Sequence, residues 1–128
     1  MRVDKFFDGT ELVPGYCRTI RIGQRVLVGG TTSAGKDGRV VGDSAYAQTV
    51  EIYRKIDAAL ASAGAVRGDV VRIVAYCTDI AQAGEIVKAH VESYGAVNPV
   101  MTLVAVSALI KPDMKVEIEA EAVLQDAA

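Results

Sequence analysis

Residues 116–123 read Val-Glu-Ile-Glu-Ala-Glu-Ala-Val, an apolar and acidic alternation with the period of a strand. Val116, Ile118, Ala120 and Ala122 then share one face, and Glu117, Glu119 and Glu121 share the other, spaced about 6.6–6.8 Å per residue pair. A second alternating run, Val100 to Val106, precedes it, with Pro112 and Asp113 supplying a turn between the two. Three carboxylates on one strand face either meet water or build a polar site. The function depends on which.

The 128 residues suit one domain, 1–128, with a single core. Hydrophobic residues make up 51% of the chain and aromatic ones 5%, so the core is aliphatic. A net charge of −2 without clustered Lys and Arg argues against a nucleic-acid partner. No apolar stretch approaches the ~18 residues of a membrane span, and the Met1-Arg2-Val3-Asp4-Lys5 start does not read as a signal peptide. Cys17 and Cys77 read as unpaired thiols of a cytoplasmic protein.

Tyr16–Ile22 and Arg25–Thr31 read as strands joined by a tight turn at Gly23-Gln24, and Arg39–Val41 as a short extended piece. Asp43 or Ser44 can cap a helix running to Ala63, with Gly64 as its stop. Its expected buried stripe is Tyr46, Val50, Tyr53, Ile56 and Leu60, with Glu51, Arg54, Lys55 and Asp57 outside it. A strand from Asp69 to Thr78 and a helix from Ala81 to Tyr94, capped by Asp79 and closed by Gly95, complete the pattern. The order is ββαβαββ, an α+β layer with two helices on one face of a mixed sheet.

Met101, Leu103 and Ala105 alternate with Thr102, Val104 and Val106, and both sets are largely apolar. A sheet apolar on both faces needs two covers, and two helices supply one. Other copies of the chain are the simplest second cover, so a homo-oligomer is expected, with partly desolvated carboxylates beside the interface.

The remaining candidates are weaker. His90 is the single histidine and falls at the border of the second helix's apolar stripe. One His and two scattered Cys give no metal-ligand spacing, so neither metal nor cofactor is expected. Gly29-Gly30-Thr31 ends a strand without the spacing of a phosphate loop; its glycines instead permit close approach by a neighbour or a ligand. Arg18, Arg21, Arg25 and Arg72 are scattered as partners for carboxylates. Tyr16, after Pro14-Gly15, can present its hydroxyl to a cleft or sit at a core rim.

Taken in order, Pro14-Gly15-Tyr16, Val26 to Thr31, Gly64-Ala65, Gly68 to Val71, Tyr76 to Asp79, Asn98 to Thr102 and Val116 to Ala120 resemble the RidA/YjgF/L-PSP family across nearly the whole chain. The resemblance implies a chorismate-mutase-like fold and a homotrimer whose sheets line a barrel, with small molecules bound in clefts between subunits. It implies hydrolysis of reactive imines or enamines, with Glu117 holding the attacking water. It also implies substrate contacts from Tyr16, Gly30, Thr31, Met101 and Leu103. Met101 stands where family members that hydrolyse 2-aminoacrylate carry an arginine for the substrate carboxylate, and Leu103 where they commonly carry cysteine. Losing that charge-assisted pair costs about 2–4 kcal/mol, so a less charged, more apolar ligand is expected. Two other functions are open: a non-catalytic metabolite-binding or chaperone-like trimer, and the endoribonuclease or translation inhibitor of the family's older labels.

Overall fold

The computed structural model describes residues 2–125. Six strands form one mixed sheet: β1 (Val3–Phe6), β2 (Thr19–Ile22), β3 (Arg25–Thr31), β4 (Val70–Cys77), β5 (Val100–Ala105) and β6 (Val116–Val123). Their spatial order is β1-β2-β3-β6-β4-β5, antiparallel throughout except for β4 beside β5. The acidic strand β6 therefore lies in the middle of the sheet, between β3 and β4. Two helices, α1 (Ala45–Ser62) and α2 (Ala83–Tyr94), pack on one face.

The apolar half of β6 explains its position. Val116, Ile118, Ala120 and Ala122 are all buried against Ile52, Ile56 and Leu60 of α1 and Ile86 and Tyr94 of α2 within one core cluster. The glutamates consequently lie on the face that carries no helix.

Local signals set the helix ends. The Ser44 hydroxyl accepts a hydrogen bond from the Ala47 amide at 3.0 Å, as an N-cap should. Asp79 caps a short 3₁₀ turn, Ile80–Gln82, that leads into α2, so the α-helix proper starts two residues later than expected. The buried face of α1 is rotated from the expected stripe. Gln48, Thr49 and Ile52 join Tyr53, Ile56 and Leu60 inside, whereas Val50 is 45% exposed and Tyr46 bonds outward to Glu92. Two polar residues can be buried there because both are bonded: Thr49 to the Ala45 carbonyl, Gln48 to three main-chain groups.

Other strand limits shift as well. β1 was not expected from the sequence. β2 starts at Thr19 rather than Tyr16, and residues 39–41 contribute a single bridge, Ala34 with Val40. Cys17 and Cys77 are both free thiols. His90 is half-buried; its Nδ1 pairs with the Tyr53 hydroxyl at 2.8 Å and its ring stacks on Tyr94. Burial holds its pKa below the ordinary histidine value. Among the described residues, no helix is long and apolar enough to cross a membrane.

Candidate functional site

The three glutamates of β6 have three different environments. Glu121 pairs with Arg25 at 3.1 Å on the neighbouring strand, and Glu119 accepts a hydrogen bond from the Tyr76 hydroxyl. Glu117 has neither kind of partner among the described residues, although it is half-buried. Burial is the main influence on its carboxyl and raises the pKa; nearby Arg18 pulls it down, Glu119 pushes it up, and the net shift is upward. A carboxylate kept from water and spared a salt bridge is a better base than an ordinary glutamate.

Glu117 lines a cavity of about 440 Å³. Tyr16, Arg18, Gly30, Lys55, Lys111 and Met114 line it too, with Leu12, Val13 and Ile110 at its exposed rim. Of the residues expected at the site, Tyr16, Gly30 and Glu117 are thus brought together. Thr31 is buried, its hydroxyl donating to the Gly29 carbonyl at 2.8 Å. Met101 and Leu103 lie on edge strand β5 and pack partly buried against the helix-side core, in register with Ile73 and Ala75. Within one chain they face away from Glu117, whose partner in register on β4 is Tyr76.

Gly30 has a specific steric role. The β3–β6 register shifts between Val28 and Thr31, and the irregularity brings Gly30 against the glutamate. A Cβ at position 30 would lie 2.5 Å from Glu117 Oε2. Because the obstructing atom ends a flexible side chain, Gly30→Ala is expected to displace the carboxylate and unfold little. For any reaction that uses the Glu117 carboxylate the expected result is at least a ~10-fold loss of kcat, with a thermal midpoint within a few degrees of wild type. Steady-state kinetics and a melting curve on one preparation check both.

Arg18 forms the inner wall. It is 8% exposed, and it donates to the Gly30 carbonyl at 2.5 Å and to the Thr10 hydroxyl at 3.1 Å. Asp8 lies 3.5 Å from its Nε and Glu11 4.0 Å away. Burial raises the Asp8 pKa, but hydrogen bonds donated by the Thr10 hydroxyl and amide, the contact with Glu11 and the Arg18 charge leave it below the ordinary value. The residue 8–18 loop is thereby fastened to the strand that carries Gly30. Tyr16 belongs to the same loop: it is 41% exposed, and its hydroxyl accepts from the Leu12 amide at 2.7 Å, leaving its own proton for a ligand. Among the described residues, no three His, Cys, Asp or Glu side chains gather into a metal-binding group.

Sequence reading missed the cavity's lysines. Lys55 reaches from α1 to the carbonyls of Thr32 and Ala34, both at 2.7 Å, and Lys111 reaches the Gly38 carbonyl at 2.6 Å. Lys55 falls outside the apolar stripe of its helix, as its spacing predicts. No local pattern shows that its ammonium turns back into a cavity.

Comparison with known proteins bears on the fold. The family model described as endoribonuclease L-PSP matches residues 10–124. A RutC family protein of Pyrococcus abyssi is 31% identical over 106 residues, 82% of this chain and 83% of that protein. The crystal structure of Rv2704 from Mycobacterium tuberculosis, a member of the YjgF/YER057c/UK114 family, covers 96% of this chain and 100% of its own at 40% identity and a TM-score of 0.88. NMB1025 of Neisseria meningitidis, of the YjgF family, covers 99% of this chain and 98% of its own, with a TM-score of 0.84 at 25% identity.

Proposed function

Since the chain belongs to the endoribonuclease L-PSP (YjgF) family, we propose that it is a hydrolase of imines, enamines or related electrophiles, working as a homotrimer with Glu117 as its general base. The observation that carries this reading is the half-buried, unpartnered carboxylate of Glu117 in a 440 Å³ cavity, with its pKa raised by burial. In the proposed reaction Glu117 takes a proton from water as the water oxygen bonds to the C=N carbon. It then returns the proton to nitrogen, giving a carbinolamine. Glu117 next carries the carbinolamine hydroxyl proton to the same nitrogen, the C–N bond breaks as the C=O bond forms, and a carbonyl compound and ammonia leave. The Tyr16 hydroxyl and the strand around Gly30 position the substrate.

The trimer rests on the sheet face without helices. That face carries the glutamate row together with Val74, Tyr76, Val100 and Val104, and Val100 remains 65% exposed. In this arrangement a neighbouring copy brings its edge strand β5, with Met101 and Leu103, toward the cavity. The exposed rim of Leu12, Val13 and Ile110 supports the same reading, since a neighbouring copy facing it would close the cavity into a cleft with the rim as one wall. The test is an imine-hydrolysis assay, with substrates formed in situ from amino acids and amines by oxidases, beside a mass measurement in solution. Turnover by a species of three chains is expected. Ligand binding without turnover would overturn the hydrolase and leave a metabolite-binding protein.

A further inference from the structure

The cavity is more cationic than the sequence suggests. Arg18, Lys55 and Lys111 line it against one carboxylate, Glu117. Arg18 answers to Asp8 and Glu11 on its far side. The two lysines are held differently: each is bonded to main-chain carbonyls, which orient an ammonium without cancelling its charge, and Lys55 also feels the carboxylates of Asp8 and Glu51, opposed by Arg18 and Arg54. Among the described residues neither makes an ion pair or a further hydrogen bond. An ammonium has three donors. Lys55 spends two and Lys111 one, so three N–H groups are left in or beside the cavity.

The positions of the lysines are also fixed. Lys55 is tied at two points and half-buried; burial, its largest influence, holds its pKa below the ordinary lysine value. Lys111 is anchored to the turn at Gly38, where a positive φ of 81° suits glycine. Pre-oriented ammonium groups in the same cavity as an apolar rim of Leu12, Val13 and Ile110 suit a ligand with one anionic group on an apolar body.

We infer that Lys55 and Lys111 form an anion-recognition pair that selects substrates carrying a carboxylate, with the apolar remainder lying against the rim. This names the substrate class of the site proposed above and rests on that reading for the chemistry, though not for binding. It also changes the expectation drawn from Met101: the counter-charge is supplied from α1 and from the segment before β6 rather than from β5.

Calorimetric titration of the whole protein with phenylpyruvate, and with phenylacetone in which a methyl replaces the carboxylate, tests the pair without requiring turnover. The expected result is a preference of roughly 10- to 100-fold for phenylpyruvate, which weakens with salt. Lys111→Met should reduce that preference at least ~10-fold, and Glu117→Gln should raise phenylpyruvate affinity by removing a like charge. Lys55→Met is the companion variant; because Lys55 also holds the 32–34 segment, a failure of that variant to fold leaves Lys111→Met to decide. Equal affinity of wild type for the two probes, or an unchanged preference in Lys111→Met, would overturn the inference. Preference without hydrolysis would sink the proposed reaction and leave the anion pair standing, and hydrolysis without preference would do the reverse.

Discussion

Replacing Glu117 by glutamine is expected to lower kcat by about 10²- to 10⁴-fold, equivalent to about 3–5 kcal/mol of transition-state stabilisation, while the protein stays folded. Glutamine keeps the size and can still hold a water, but it cannot take a proton. The stability part follows from the sign of the shift. The folded-state pKa of Glu117 lies above its ordinary value because burial penalises the charged form. Its contribution to stability is therefore complete below the unfolded-state pKa and is lost as pH rises through the folded-state value. At neutral pH the carboxylate is a liability to the fold, and Glu117→Gln should melt at or slightly above wild type. Kinetics alongside thermal melts at neutral and acid pH check both halves. A variant that loses activity only because it unfolds would contradict the assignment.

The second large effect is expected at Gln48, which touches no part of the cavity. Its side chain is 1% exposed; Nε2 donates to the carbonyls of Gly42 and Asp113 at 3.1 and 2.9 Å, and Oε1 accepts from the Lys115 amide at 2.8 Å. It joins the start of α1 to the segment that leads into β6. Gln48→Leu preserves the volume and strands those three main-chain groups, each costing about 1–3 kcal/mol when left unbonded. Allowing for the added apolar burial, the expected loss is about 3–5 kcal/mol, or a midpoint lower by roughly 10–20 °C for a chain of this size. Because the same segment carries Lys111 and Met114 toward the cavity, kcat/KM should fall well below the melting transition. Denaturant unfolding measures the first effect, and activity at low temperature the second.

The sequence made β6 legible because one face of the strand is buried and its central position enforces strict alternation. The start of α1 was legible because Ser44 is a local signal with a local partner, whereas Asp79 marks the 3₁₀ turn that precedes α2 and not the first residue of the helix. β1 was not, since four residues reading Val-Asp-Lys-Phe carry little alternation, and their pairing with β2 arises from contacts across the sheet. The site divides in the same way. That three glutamates share a face follows from the period of a strand. Which of them is unpaired depends on register and reach, because Tyr76 stands opposite Glu117 yet bonds Glu119, and Arg25 takes Glu121. Lys55 and Lys111 lie 56 residues apart in the chain and come to one cavity only through the fold. Met101 shows the converse. Its position two residues after Pro99 is plain in the sequence, but its side chain packs on the core side of β5, and within one chain it lines no part of the Glu117 cavity.

The most direct test of Glu117 as the base is the pH dependence of kcat/KM for imine hydrolysis, measured from pH 4 to pH 9 on wild type. Activity should rise along a single acid limb whose midpoint lies above the ordinary glutamate value of 4.5, because the deprotonated carboxylate is the active form. An acid limb at or below that value, or a profile flat across the range, would contradict the account.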